Sequence, residues 1–138
     1  LKRSLHIMKM PVRVGISPTL NIRGILADEP IKAGKVIERA PILLLPAGEV
    51  EHLEQTTLSK YYYLWSEKYV AVVFGFGSLY NHSSEANVYF HRDYRNKRMV
   101  FTATDDIAAG QECFVNYYQG SDEEVDPAYL DFNAHEKS

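Results

Sequence analysis

Two short stretches of the chain carry the residue types that could do chemistry. The first, GFGSLYNHSSEAN, runs from Gly75 to Asn87, and the second, GQECFVNYY, runs from Gly110 to Tyr118. Each places glycine, polar and ring-bearing residues between strongly apolar runs. This composition brings the backbone close to a ligand rather than filling a core. We therefore interpret both stretches as site segments.

One chemistry open to these stretches is the hydrolysis of an acyl bond, since Cys113, His82 and Asn81 are the residue types of a cysteine–histidine–asparagine set. However, Cys113 lies in an alternating apolar run, CFV, where a cysteine is typically a small core residue. The segment from Asn81 to Ser83, taken alone, is also compatible with an ordinary turn, because asparagine and serine side chains bond to nearby backbone.

The elements that must position these stretches belong to a chain of ordinary globular composition. With 138 residues, 46% hydrophobic and 24% charged, the chain fits one domain. No apolar run reaches the ~18 residues of a membrane span, and the N-terminal LKRSLHIMKM lacks the apolar block of a secretory signal. The net charge of −3 argues against sequence-independent nucleic-acid binding and is compatible with a basic peptide partner. We therefore expect no membrane and no direct nucleic-acid partner.

The counts of cysteine and histidine bear on compartment and metal. A single cysteine excludes an intramolecular disulfide, so an intracellular, reducing compartment is expected. That compartment is the cytoplasm, the nucleus in a eukaryote, or a host cell into which the protein is secreted. The five histidines include no pair at metal-ligand spacing, so no metal is expected.

Short alternating runs predict a mostly β fold with short helices. One amphipathic helix is predicted from Pro46 to Lys60, and Pro41 is expected to bend the long strand before it, because a central strand rarely accepts proline. The predicted strands are Val12–Ile16, Gly24–Ala27, Val36–Leu45, the YYYLW and YVAVVF runs from Tyr61, Val88–His91 and Arg98–Ala103.

The two site stretches together resemble the paired motifs of the SET domain of protein-lysine methyltransferases. Members of that family carry N-H-S-x-x-x-N, here Asn81 to Asn87, and G-E-E-x-x-x-x-Y, here Gly110 to Tyr117. The first stretch is also similar to the corresponding run in the small stand-alone SET proteins of bacteria and of a large algal virus. The resemblance implies a SET fold of several small sheets, with a C-terminal segment threaded beneath a loop as an exception to the rule that chains avoid threading.

The chain departs from the family pattern at a few positions. The family's Gly-x-Gly turn keeps only Gly24, with Ile22 in the first position and Arg23 between them, and Gln111 replaces the first glutamate. The cysteines that bind zinc after the SET core in many histone enzymes are absent. The Ile22 change bears on the cofactor contacts of that loop.

The resemblance implies transfer of a methyl group from S-adenosylmethionine to the side-chain amine of a lysine in a protein or peptide, with histone tails among the candidates. It implies Tyr117 as the catalytic residue and Glu112 as a buried, paired carboxylate that anchors the tyrosine-bearing segment. The cofactor-binding residues it implies are Arg23, Gly24, Asn81, His82 and Tyr117. The residues it implies for the substrate channel are Tyr80, Tyr89 and Phe90.

We expect one SET domain over residues 11–120. Residues 1–10 are interpreted as an N-terminal extension or an expression remnant, and residues 121–138 as a docking helix with an apolar stripe at Tyr129, Leu130 and Phe132. The alternative function is a non-catalytic module that binds methyl-lysine or a basic peptide through its tyrosine and tryptophan cluster. The sequence is also compatible with an oligomer.

Overall fold

The computed structural model describes residues 9–119, in which nine strands and little helix form the architecture. The strands are β1 (Val12–Ile16), β2 (Arg23–Ala27), β3 (Val36–Pro46), β4 (Tyr62–Leu64), β5 (Tyr69–Val73), β6 (Asn81–His82), β7 (Val88–Asp93), β8 (Arg98–Ala103) and β9 (Glu112–Val115). These strands confirm the predicted mostly β fold. They form where β-branched and aromatic residues alternate with polar ones, as such residues favour strands.

The strands form small sheets joined by shared members. Their order is β1-β2-β9-β7-β8-β3-β5-β4, and β6 pairs with β9 beside this path. The last described strand, β9, therefore lies in the interior of the order, antiparallel to β2 and parallel to β6 and β7. This arrangement agrees with the several small sheets predicted.

Strand β3 changes partner at Pro41, the residue where a bend was predicted. Up to Pro41 it pairs with β8, and from Ile42 onward it pairs with β5. Proline has no N–H to donate to a ladder, so it suits the point where one partner ends and another begins.

The single helix predicted from Pro46 to Lys60 is wrong. That segment holds a 3₁₀ turn at Ala47–Glu49, one short helix α1 at Val50–Leu53, and a second 3₁₀ turn at Thr57–Lys60. The break lies at Thr56, whose backbone is extended and whose hydroxyl donates to the Leu53 carbonyl and accepts from the Leu58 N–H. Side-chain bonds of this kind compete with the helical ladder.

The core lies directly beneath the first site stretch. Tyr80 stacks on Phe101 with ring centroids 4.9 Å apart, and Tyr63 meets Phe90 edge to face at 5.1 Å. The Tyr63 hydroxyl donates to the Gly77 carbonyl at 2.7 Å, which ties the core to the turn before Tyr80. The backbone that approaches the site thus rests on packed aromatic rings.

The docking helix predicted over residues 121–138, and most of the extension over residues 1–10, lie outside the described residues. Within residues 9–119, no helix combines the length and the apolar character needed to cross a bilayer.

Candidate active site

The parallel pairing of β6 with β9 brings the two site stretches side by side. Asn81 lies opposite Phe114 and His82 opposite Val115. Because β9 leads directly into Asn116 and Tyr117, this register places Tyr117 beside the residues of β6. Two segments about thirty residues apart in the chain therefore form one wall of the site.

Tyr117 is held at three points. Its hydroxyl donates to the Tyr80 carbonyl at 2.8 Å, and its backbone N–H donates to Nδ1 of His82 at 3.0 Å. Its ring also lies tilted against the His82 ring at 4.9 Å. Burial, together with Tyr61 and Glu112, raises the pKa of Tyr117 to about 12, so the side chain is a neutral phenol at physiological pH.

His82 can hold Tyr117 only as a neutral ring. Its Nδ1 must keep a lone pair to accept the Tyr117 N–H, and burial lowers the pKa of His82 below 6.5. The other described contact of the ring is an edge-to-face approach to Tyr118 at 5.3 Å. The imidazole therefore orients the tyrosine-bearing turn.

The side chain of Asn81 is fixed by its two N–H groups. Nδ2 donates to the Arg23 carbonyl at 2.9 Å and to Oε2 of Glu112 at 2.8 Å. Within residues 9–119, no group donates to its Oδ1. Asn81 therefore offers a ligand a hydrogen-bond acceptor rather than a donor.

Glu112 is a buried carboxylate, 4% exposed, that accepts from Asn81 and from the hydroxyl of Ser17. Gly24 leaves room for it. A Cβ at position 24 would lie 2.4 Å from Oε2 of Glu112 and 2.7 Å from Nδ2 of Asn81. Any side chain there would displace one of the two groups, which explains glycine at this position.

A cavity of about 250 Å³ opens beside these groups. Ile22 and Arg23 line one side, Lys60 and Tyr61 another, and residues 78–81 with Tyr117 the third. An Arg23 guanidinium nitrogen donates to the Tyr61 hydroxyl at 3.3 Å, which joins two of these sides. The cavity combines cationic side chains with a wall of oxygen acceptors.

Ser17, Lys60 and Ser78 contribute to this site but were missed by the sequence analysis. The Ser78 hydroxyl lies 2.9 Å from the carbonyls of both Tyr61 and Val73, shares its single proton between them, and so fixes the turn that carries residues 78–81. Ser78 lies inside the first site stretch, so its position in the sequence was a usable signal. Ser17 and Lys60 lie outside both stretches, and no signal in the sequence pointed to them.

A model of the SET domain family matches residues 22–118 of this chain, which is more than half of its length. The chain belongs to the SET domain family. It is 36% identical over 96 residues to a protein of Schizosaccharomyces pombe named "Histone-lysine N-methyltransferase, H3 lysine-37 specific". That match covers 69% of this chain and 65% of the relative, so the chain spans somewhat less than two thirds of this curated protein.

Solved structures of other SET proteins show the same fold. A candidate histone methyltransferase of Plasmodium falciparum is 27% identical with a TM-score of 0.66, over 80% of this chain and 95% of that one. A humanized mutant of Polycomb Repressive Complex 2 from Chaetomium thermophilum, bound to an inhibitor, is 25% identical with a TM-score of 0.70. It covers 82% of this chain and 16% of the other.

The structure brings some of the predicted site residues of this SET domain to the cavity and not others. Arg23, Asn81, Tyr80 and Tyr117 line it, and Gly24 lies against the Asn81 amide, whereas His82 is placed behind Tyr117. The lining includes neither Tyr89, which is 47% exposed on β7, nor Phe90, which is 3% exposed in the core. Their role in a lysine channel stays a prediction.

Two alternatives lose support from burial. Cys113 is fully buried on β9, and burial with the nearby Glu112 raises the pKa of its thiol to about 12, so a reactive thiolate is disfavoured. In the tyrosine and tryptophan cluster, Tyr62, Tyr63 and Trp65 are each 6% exposed or less. These three rings fill the core and are closed to a cation, whereas Tyr61 lines the cavity and Tyr89 is exposed. Among the described residues, no group of three histidine, cysteine or acidic side chains is arranged to hold a metal ion.

Proposed function

We propose that this SET domain transfers a methyl group from S-adenosylmethionine to the side-chain amine of a lysine in a protein. The observation that carries the proposal is the neutral Tyr117 phenol, bonded to the Tyr80 carbonyl in the wall of a cavity that also presents the Asn81 acceptor. These groups are suited to positioning a methyl donor and an amine, and such a transfer needs little acid–base chemistry.

The chemistry of the lining fits the cofactor. The amino-acid end of S-adenosylmethionine carries an ammonium and a carboxylate. Both N–H groups of Asn81 donate to acceptors within the protein, so its oxygen can accept from the ammonium. Arg23 donates one guanidinium N–H to Tyr61, and its other N–H groups can donate to the carboxylate. When bound, the cofactor would supply a methyl group on a positively charged sulfur.

Tyr117 and Tyr80 would position the lysine amine. The Tyr117 hydroxyl both donates and accepts, and its raised pKa keeps it neutral at physiological pH. The Tyr80 carbonyl is fixed by that hydroxyl and can accept weak C–H···O contacts from a methyl group. A free lysine has a pKa of ~10.4 and is protonated at neutral pH, whereas the amine must be neutral to attack the methyl group. Desolvation in the site lowers the lysine pKa and so favours the neutral amine.

We further propose a histone as the substrate and the nucleus as a working compartment. The support is the name of the Schizosaccharomyces pombe relative, which specifies lysine 37 of histone H3. A basic histone tail also suits a chain with a net charge of −3.

Methyl transfer from labelled cofactor tests the proposal. The protein would be incubated with labelled S-adenosylmethionine and each core histone, and the modified residue located by mass spectrometry. Histone H3 with lysine 37 replaced by arginine is the matched control for the site. Label on another lysine would correct the site alone. Binding of methylated peptide without any turnover would instead favour the non-catalytic module.

A further inference from the structure

Ser17 is a polar residue with an unexpected degree of burial. It lies immediately after β1, outside every motif, and is 1% exposed. Its hydroxyl donates to Oε1 of Glu112 and accepts from the Leu20 N–H at 3.1 Å. Its backbone N–H donates to the Ile22 carbonyl at 2.7 Å, which closes the loop before β2. One residue thus holds that loop and a buried carboxylate together.

Glu112 depends on such neutral donors. Within residues 9–119, no lysine, arginine or histidine forms an ion pair with it. Its side-chain oxygens are divided between two partners, Ser17 on Oε1 and Asn81 on Oε2. A buried carboxylate is costly unless hydrogen-bonded, so the loss of either donor would let it rotate toward another partner.

The orientation of Asn81 follows from this arrangement. Oε2 of Glu112 and the Arg23 carbonyl are both acceptors, so they hold the NH₂ group of Asn81 and leave its oxygen for a ligand. If the carboxylate rotates, one N–H of Asn81 loses its partner, and the amide is held by the Arg23 carbonyl alone. The contacts therefore form a continuous series from Ser17 through Glu112 to Asn81.

We infer that Ser17 is a positioning residue for cofactor binding, acting through Glu112 on the Asn81 amide. The inference rests on the proposed function, in which Asn81 contacts S-adenosylmethionine. Ser17 itself does not line the cavity. Its hydroxyl sets the carboxylate that presents Asn81 as an acceptor.

The test is calorimetric binding of S-adenosylhomocysteine, the demethylated cofactor. Ser17→Ala should raise the Kd about tenfold, since an unsatisfied buried polar group typically costs a factor of about 5 to 150. Ser66→Ala is the matched control. Like Ser17, Ser66 accepts from a nearby backbone N–H, that of Lys68, but it lies in the β4–β5 turn. It should leave the Kd unchanged.

A double-mutant cycle separates positioning from a general effect on the fold. If Ser17 acts through Asn81, then Ser17→Ala should add less than about twofold to the Kd of Asn81→Ala, well below its effect in the wild type. A full tenfold effect in both backgrounds would mean that Ser17 acts through its loop, and would overturn the inference.

Fold and function are controlled separately. Circular dichroism and thermal melting would verify that each variant is folded. Ser17→Cys, which keeps the shape of the side chain but is slightly larger and donates weakly, replaces Ser17→Ala if that variant does not fold. An unchanged Kd in a folded Ser17 variant would overturn the inference alone. Failure of the wild-type protein to bind S-adenosylhomocysteine would overturn the proposed function and this inference with it.

Discussion

Replacing Tyr117 by phenylalanine removes one oxygen from the site and leaves the ring in place. The oxygen lost is the donor to the Tyr80 carbonyl at 2.8 Å, whereas the backbone bond to His82 and the ring contact remain. A hydrogen bond of this kind contributes about 1 kcal/mol, which corresponds to roughly 4 °C in Tm for a domain of this size. We therefore expect Tyr117→Phe to fold.

The effect on turnover should be far larger than the effect on stability. The hydroxyl is the group that would position the amine against the methyl, and misplacement of reacting groups costs about 10²-fold, or roughly 3 kcal/mol in the barrier. Cofactor affinity should change by less than about threefold, because the interactions lost belong mainly to the transition state.

Single-turnover methyl transfer, together with calorimetry of S-adenosylhomocysteine binding, measures both quantities. Tyr118→Phe is the matched control, since Tyr118 meets the His82 ring edge to face and is absent from the lining of the cavity. It should methylate at the wild-type rate. A folded Tyr117→Phe protein that methylates as fast as the wild type would refute the role given to the hydroxyl.

Three further predictions follow from the same contacts. Gly24→Ala should fold yet bind S-adenosylhomocysteine about tenfold more weakly by calorimetry, because its methyl group would displace the Glu112 carboxylate or the Asn81 amide that this carboxylate holds; equal affinity would show that the site tolerates the shift. Cys113→Ala should lower the Tm modestly and retain methyl transfer at saturating substrate, and an inactive folded variant would restore the cysteine nucleophile. Stability should fall as pH drops below ~6.5, because the lowered pKa of His82 makes the unfolded state bind its proton first. His82→Gln, followed by thermal melts from pH 5 to 8, should flatten that dependence, and an unchanged profile would remove His82 as its source.

The sequence predicted the strands well because their signals are local. Alternation and turn residues lie within a few positions of one another, so β7, β8 and the β4–β5 hairpin were found. The helix from Pro46 to Lys60 failed because Thr56 takes the bonds that a continuous helix would need. A favourable apolar face was present there, yet a side chain competing for the backbone decided the outcome.

The site was predictable only as far as its motifs reach. Asn81 and Tyr117 were both assigned to the cofactor site, and both line the cavity. Tyr89 and Phe90 were assigned together, although neighbours on one strand point to opposite faces, and the structure places one outside and the other in the core. Ser17 could not be found, because its importance comes from a carboxylate ninety-five positions later in the chain.

The position of β9 has a consequence for how the protein folds. The strands that pair with β9 are synthesised long before it. Ile25 of β2 pairs with Cys113, and residues 81–82 of β6 pair with residues 114–115. The β4–β5 and β7–β8 hairpins close over short distances and can form early, whereas contacts between such distant segments are slow to form. On a ribosome the site would therefore be completed only after Tyr117 has emerged. Until then the edge of β2 that pairs with β9 would remain unpaired. The cofactor could stabilise the domain only after this pairing has formed.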